Sequence, residues 1–194
     1  MDIQIVDNET VTEPISIAEA KSYLQIDQDY AADDGDIAIA LTSARQRLES
    51  YLNIGLAKRS LTVYWNGTAI ELPRSPTGDI TEVKKNDELL VADDYHILPM
   101  PAKRICVNNA YSYPGEWFYS MDGYVEYTPS FTGQCNDVYS VKYQTGYETL
   151  PTDLKQAILA ETHHIFNLRG FPVSDVISPN AALLASNYSR NLIL

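Results

Sequence analysis

Positive charge is scarce in this sequence. Fourteen Lys and Arg stand against 26 Asp and Glu, a formal charge of −12 over 194 residues. Affinity for a nucleic-acid backbone is built on Lys and Arg displacing counterions, so this balance argues against a protein that grips or reads DNA. An acidic surface past which DNA slides without adhering stays open, and plain solubility explains the same charge. Only two cysteines occur, Cys106 and Cys135, without the short spacing of a zinc knuckle or a redox pair. With no secretion signal they read as ordinary reduced thiols. No basic N-terminal segment leads into an apolar run, and no apolar stretch reaches the roughly 18 residues of a membrane span. The expectation is a soluble protein made in a cytoplasm, with no membrane partner.

Catalytic signatures are missing as well. There is no Gly-x-Ser-x-Gly elbow, Walker loop or dinucleotide fingerprint. Glu161 and His164 share a helix face beside His163, but the zincin spacing of two histidines four apart around a glutamate is absent. An adjacent histidine pair is more often one buried and one solvated residue. His96 has no evident nucleophile beside it, and Asp93-Asp94 reads as a turn before Tyr95. The sequence predicts no enzyme, no cofactor and no metal site.

What is present is a globular pattern, 45% hydrophobic, of a length that fits one domain or one domain with a large insertion. The two best amphipathic helices lie near opposite ends, in 35–53 and 151–169. The first sets Ile37, Ala40, Leu41, Ala44, Leu48, Tyr51 and Leu52 on one stripe, with Asp33, Asp34 and Asp36 at its positive end, Arg45 and Arg47 toward the other, and Gly55 as the stop. The second sets Leu154, Ala157, Ile158, Ile165 and Leu168 together, opened by Pro151 and closed by Gly170 and Pro172. The two stripes are expected to pack on each other. A shorter helix starts at Ser16, whose spacing to Glu19 is a capping box with Ile15 and Ala20 as the staple, and buries Ala20, Tyr23 and Leu24. A last short helix from Pro179 carries Leu183, Leu184 and Tyr188 and needs a neighbour to hold it.

Between the long helices the period changes from about four to two. Leu61, Val63 and Trp65 alternate with Thr62, Tyr64 and Asn66, and Asn66-Gly67 predicts a type I′ hairpin returning through 69–72. Further short strands are expected at 80–84, 89–91, 95–98, 104–107, 124–128 and 138–143, making a small antiparallel sheet or barrel. The loop at 111–119 concentrates Tyr111, Tyr113, Trp117, Phe118 and Tyr119, which suits a contact surface or the covering of a sheet end. The predicted fold class is α+β. Residues 1–56 and 148–172 form a helical platform, 57–147 an inserted antiparallel β domain, and 173–194 a C-terminal docking tail.

Several stretches in this order carry a family likeness. Ile17-Ala18-Glu19-Ala20-Lys21-Ser22-Tyr23-Leu24 is followed by the acidic cap and a long helix to Glu49-Ser50-Tyr51. Ile70-Glu71-Leu72-Pro73-Arg74-Ser75-Pro76 is a Pro-flanked strand. Val141-Lys142-Tyr143-Gln144-Thr145-Gly146-Tyr147 then leads into Leu150-Pro151-Thr152-Asp153-Leu154-Lys155-Gln156-Ala157-Ile158-Leu159, and Ala182-Leu183-Leu184 is followed by Tyr188 and Arg190. Together they resemble the head-tail connector proteins of tailed bacteriophages and related prophages, over most of the chain. The spacing of Tyr188 and Arg190 and the residues 191–194 after them depart from the family's ending, and 111–119 and 131–136 look like additions to its insert.

The resemblance implies a structural virion protein at the portal vertex. Copies of it, twelve as in the family, would form a ring beneath the portal protein, extend the DNA tunnel and present the docking surface for the next neck or tail protein. Viral DNA would pass through without tight binding. The residues expected to dock the ring are Leu183, Leu184, Tyr188, Arg190, Leu192 and Ile193, with Tyr111, Tyr113, Trp117, Phe118 and Tyr119 as a second contact loop. The competing expectation is a tail or baseplate module that recognises a protein or glycan through its β insert.

Overall fold

The computed structural model describes residues 3–7, 11–67, 69–98, 103–107, 118–119, 125–126, 137–169 and 177–188. In chain order these form β1 (Ile3–Asp7), α1 (Ile17–Leu24), α2 (Asp34–Leu52), β2 (Arg59–Asn66), β3 (Ala69–Glu71), β4 (Thr77–Lys85), β5 (Glu88–Leu89), β6 (Tyr95–Leu98), β7 (Arg104–Val107), β8 (Phe118–Tyr119), β9 (Val125–Glu126), β10 (Val138–Thr145), α3 (Thr152–Asn167) and α4 (Pro179–Ala185). Short 3-10 turns lie at Ala92–Asp94 and Ser186–Tyr188. The fold is α+β, with helices and an antiparallel five-stranded sheet of order β1-β2-β10-β4-β5. A three-stranded sheet of order β3-β7-β6 and the β8-β9 pair complete the strands.

The chain divides into two compact units. One comprises Asp7–Leu61, Pro73–Asp79 and Tyr143–Leu194, the other Met1–Val6, Thr62–Leu72 and Ile80–Lys142. The first unit holds the four α-helices found among the described residues. Its core joins the stripe of α2 (Ile37, Ala40, Leu41, Ala44, Leu48, Leu52) to that of α3 (Leu154, Ala157, Ile158), and Ile15, Ala20, Ala181 and Ala185 extend it. The helix starts follow the chemistry of their caps. Ser16 Oγ accepts from the Glu19 N–H at 3.2 Å while the Glu19 carboxylate accepts from the Ser16 N–H at 3.1 Å, the reciprocal box the sequence predicts.

Two details of the α2 expectation change. Tyr51 lies outside the stripe and is half exposed, because the buried face is completed by Arg45 and Glu49 instead. The helix stops at Asn53, in the left-handed conformation at φ 57°, not at Gly55. Gly55 is needed for a different reason: a Cβ there would collide with the Thr145 hydroxyl. Gly146, at φ 95°, is under a double constraint, since its missing Cβ would also strike the Ala57 carbonyl.

In the second unit, Val63 and Trp65 are buried on β2 as the alternation requires, and Trp65 stacks on Tyr139 of β10 with ring centroids 5.5 Å apart. The expected hairpin at Asn66-Gly67 does not form. β3 leaves the sheet of β2 and pairs with β7, Ile70 opposite Ile105, both buried. A type I′ turn needs positive φ at both central residues, and of the two only Gly67 has it. The primed turn sits instead at Asn86-Asp87, φ 48° and 69°, closing the β4–β5 hairpin with Lys85 opposite Glu88.

Candidate interaction surfaces

Two buried carboxylates organise the helical unit. Glu49, on the inner side of α2, accepts from Arg45 at 3.0 Å and from Arg59 at 3.0 and 3.1 Å, and from the backbone N–H of Leu56 at 2.9 Å. Glu13 lies 2.9 Å from Arg45, and Asp7 lies 3.1 Å from Arg59. The result is a row of alternating charge, Asp7-Arg59-Glu49-Arg45-Glu13, with its three inner members buried. A buried charge needs partners to offset its desolvation, and here each end of the row reaches water through a more exposed acid. The row fixes the segment between α2 and β2.

Glu161, the second, is fully buried on α3. Its Oε2 accepts the Ser178 N–H at 2.9 Å, just before α4, and its Oε1 lies 3.2 Å from Arg47 of α2. A carboxylate at a helix N-terminus meets free N–H groups and the positive end of the helix dipole, so Glu161 anchors α4. The short helix therefore folds onto α3 and inserts Ala181 and Ala185, both completely buried. Neither anchor is visible in hydrophobic periodicity, which scores Glu161 as polar.

The predicted docking residues separate on this frame. Leu183 is 75% exposed on α4. Leu184 and Tyr188 are half-buried against the helical core, and Tyr188 lies close enough to Tyr147 to add to the upward pKa shift that burial gives the Tyr147 hydroxyl. Arg190, Leu192 and Ile193 lie outside the described residues, as do Tyr111, Tyr113 and Trp117. Phe118 and Tyr119 form β8, of which only the backbone is described.

Exposed apolar side chains appear elsewhere in places the periodicity did not single out. Ile39 of α2 is 67% exposed, on the side of that helix where Ser43, Gln46, Arg47, Ser50, Tyr51 and Ile177 line a shallow cleft of about 650 Å³. A smaller cleft of about 470 Å³ lies beside Thr12, Pro14, Lys58, Gln144, Tyr147 and Leu150. Of the titratable residues considered as ligands, Glu161 turns inward to Arg47, His163 stands edge-on to Tyr23 and contacts Asn167, and His164 is half-buried. Among the described residues no three His, Cys, Asp or Glu are grouped to hold a metal, and no helix is long and apolar enough to cross a membrane.

No protein-family model and no curated protein matches the sequence. Solved structures share its fold along nearly the whole chain. A chain from the neck of the empty gene transfer agent particle, computed with C6 symmetry, aligns at a TM-score of 0.70 and 16% identity over 98% of this chain and 97% of its own. One from the virion of the native particle gives 0.70 at 15%, and one from the native neck computed with C12 symmetry gives 0.64 at 14%, over the same shares. At this identity the likeness is one of fold. These are structures of a phage-like particle and its neck, consistent with the head-tail connector family that the motifs resemble.

Proposed function

We propose that the chain is a structural, non-enzymatic subunit of a virion neck. Copies of it form a closed ring beneath the portal, extend the passage for viral DNA and offer a surface to the next neck or tail protein. The observation that carries this reading is the fold likeness to neck chains over 98% of the sequence, insert and C-terminal helix included. The symmetric necks in which those chains sit support a ring of like copies, of which twelve is the number we adopt. The net charge of −12 supports passive passage, since a wall that repels phosphate does not retain DNA.

Within this reading Leu183 is the leading docking residue, exposed on a helix that the Glu161 anchor holds in place. The 189–194 segment, with Arg190, Leu192 and Ile193, is proposed to continue that surface, and the 111–119 aromatic loop to form a second one. Cryo-EM of particles carrying the protein tests the proposal. Density for a ring of this chain at the portal vertex is the expected result, and its presence at the tail tip instead would establish the tail-module reading.

A further inference from the structure

The five-stranded sheet is well covered in its middle and bare at both rims. β2 and β10 are buried at most positions. β1 is not: four of its five residues are exposed, and Ile5 and Val6, which point to opposite faces of a strand, are 42% and 36% exposed. At the other rim Leu89 of β5 is 65% exposed and Val91 just after it 63%. Among the described residues, β1 and β5 each pair on one side only.

The backbone at the β5 rim is available as well. Lys85 faces Glu88 across the two-residue turn, Lys84 faces Leu89, and the Leu90 N–H bonds inward to the Val83 carbonyl at 2.9 Å. Ladder bonds alternate along an antiparallel strand, so the N–H and C=O of Leu89 point away from β4. Sheet edges that must stay single are blunted with Lys, Pro or inward charge. Neither Ile3-Gln4-Ile5-Val6 nor Glu88-Leu89-Leu90-Val91 contains Lys or Pro.

We infer that the two rims are the two halves of a subunit interface: the β1 edge of one copy joins the β5 edge of the next, and the sheet continues from subunit to subunit. The inference rests on the ring reading given above and adds the surface that closes it. A cyclic assembly requires a head-to-tail contact between two different patches of the same chain, and opposite edges of one sheet are such a pair by construction. An isologous contact, β1 on β1, would stop at a dimer and leave β5 bare.

The test is disulfide trapping in the full-length chain with Cys106→Ser and Cys135→Ser as background, on concentrated protein and on particles that carry it. Ile5→Cys combined with Leu89→Cys is expected to give, on oxidation, a ladder of covalent multimers ending at the closed ring, while either single variant gives none. Leu89→Lys, at an exposed position, is expected to keep the circular dichroism of the parent and lose the oligomer. Rings in the micrograph without a ladder, and unaffected by Leu89→Lys, overturn the edge pairing and leave the neck reading standing. Dimers from a single cysteine variant overturn it in favour of an isologous contact. Absence of a ring from both concentrated protein and particles overturns the neck-ring reading and this inference with it.

Discussion

At the residue scale, the helical unit buries a few charged groups that a hydrophobic pattern undervalues and whose loss from one side is costly. Glu49 accepts from two guanidinium groups and from backbone N–H groups, so Glu49→Ala leaves two buried cations, Arg45 and Arg59, each with one of its two acids, Glu13 and Asp7. Breaking a buried pair from one side costs about 3–5 kcal/mol, and urea unfolding should show a loss of that size. In the sequence Arg45 reads as a charge near the end of α2 that complements its dipole. Its burial depends on Glu49, four residues on and visible in helix spacing, and on Glu13, 32 residues before it, of which local spacing carries no trace. Glu19 makes the opposite case, legible and exposed. The Lys155 ammonium, and then the Ser16 N–H, hold its carboxyl below the usual 4.5. A lowered folded pKa stabilises above the unfolded value and is lost as pH falls through the folded one. Glu19→Gln should therefore melt lower than the parent at neutral pH, by no more than about 1 kcal/mol for so exposed a pair, and the gap should close in acid. A gap unchanged between neutral and acid pH would deny the carboxylate that role.

At the scale of elements, the sequence resolves periods well and partners poorly. α1, β6 and β7 fall where the pattern puts them, although Tyr23 of α1 is exposed where burial is expected and Lys21 is buried beside Ala20 instead, and the stripes of α2 and α3 meet as their apolar surfaces require. At Asn66-Gly67 the dipeptide reports local preference alone, and Ile70 overrides it by gaining burial opposite Ile105 in another sheet. Asn86-Asp87 takes the primed turn with a non-glycine residue in its second central position, at φ 69°. Glycine occupies that conformation without a Cβ penalty, so Asp87→Gly should raise stability by roughly 0.5 kcal/mol despite the entropy glycine adds to the unfolded chain. A thermal melt no higher than the parent would show that the Asp87 side chain contributes more than its backbone strain costs. On the same grounds Gly146→Ala, which drives a methyl into the Ala57 carbonyl at φ 95°, should lose more than about 2 kcal/mol.

At the scale of the whole molecule, the order of motifs agrees with the fold that the solved structures share, while the proposed attachment surface is only half legible. The sequence shows apolar residues after Pro179 but not which of them turn inward. α4 inserts Ala181 and Ala185 into the core and leaves Leu183 out, so cutting the chain after Asn180 would remove packing together with the proposed docking residues. Ending it after Tyr188 separates them: the Glu161 bond to Ser178 and both alanines remain, and Arg190, Leu192 and Ile193 are gone. Leu183→Glu probes the remaining exposed leucine with little cost to the fold, since surface substitutions usually stay within about 0.5 kcal/mol. Both variants should match the parent in circular dichroism and in thermal midpoint. The combined variant, truncated after Tyr188 and carrying Leu183→Glu, should fail to join DNA-filled capsids when particles are purified and their subunits counted. Full occupancy by that variant would move the attachment surface to the Ile39 face of α2 or to the β unit, and the exposed residues there would be the next to change.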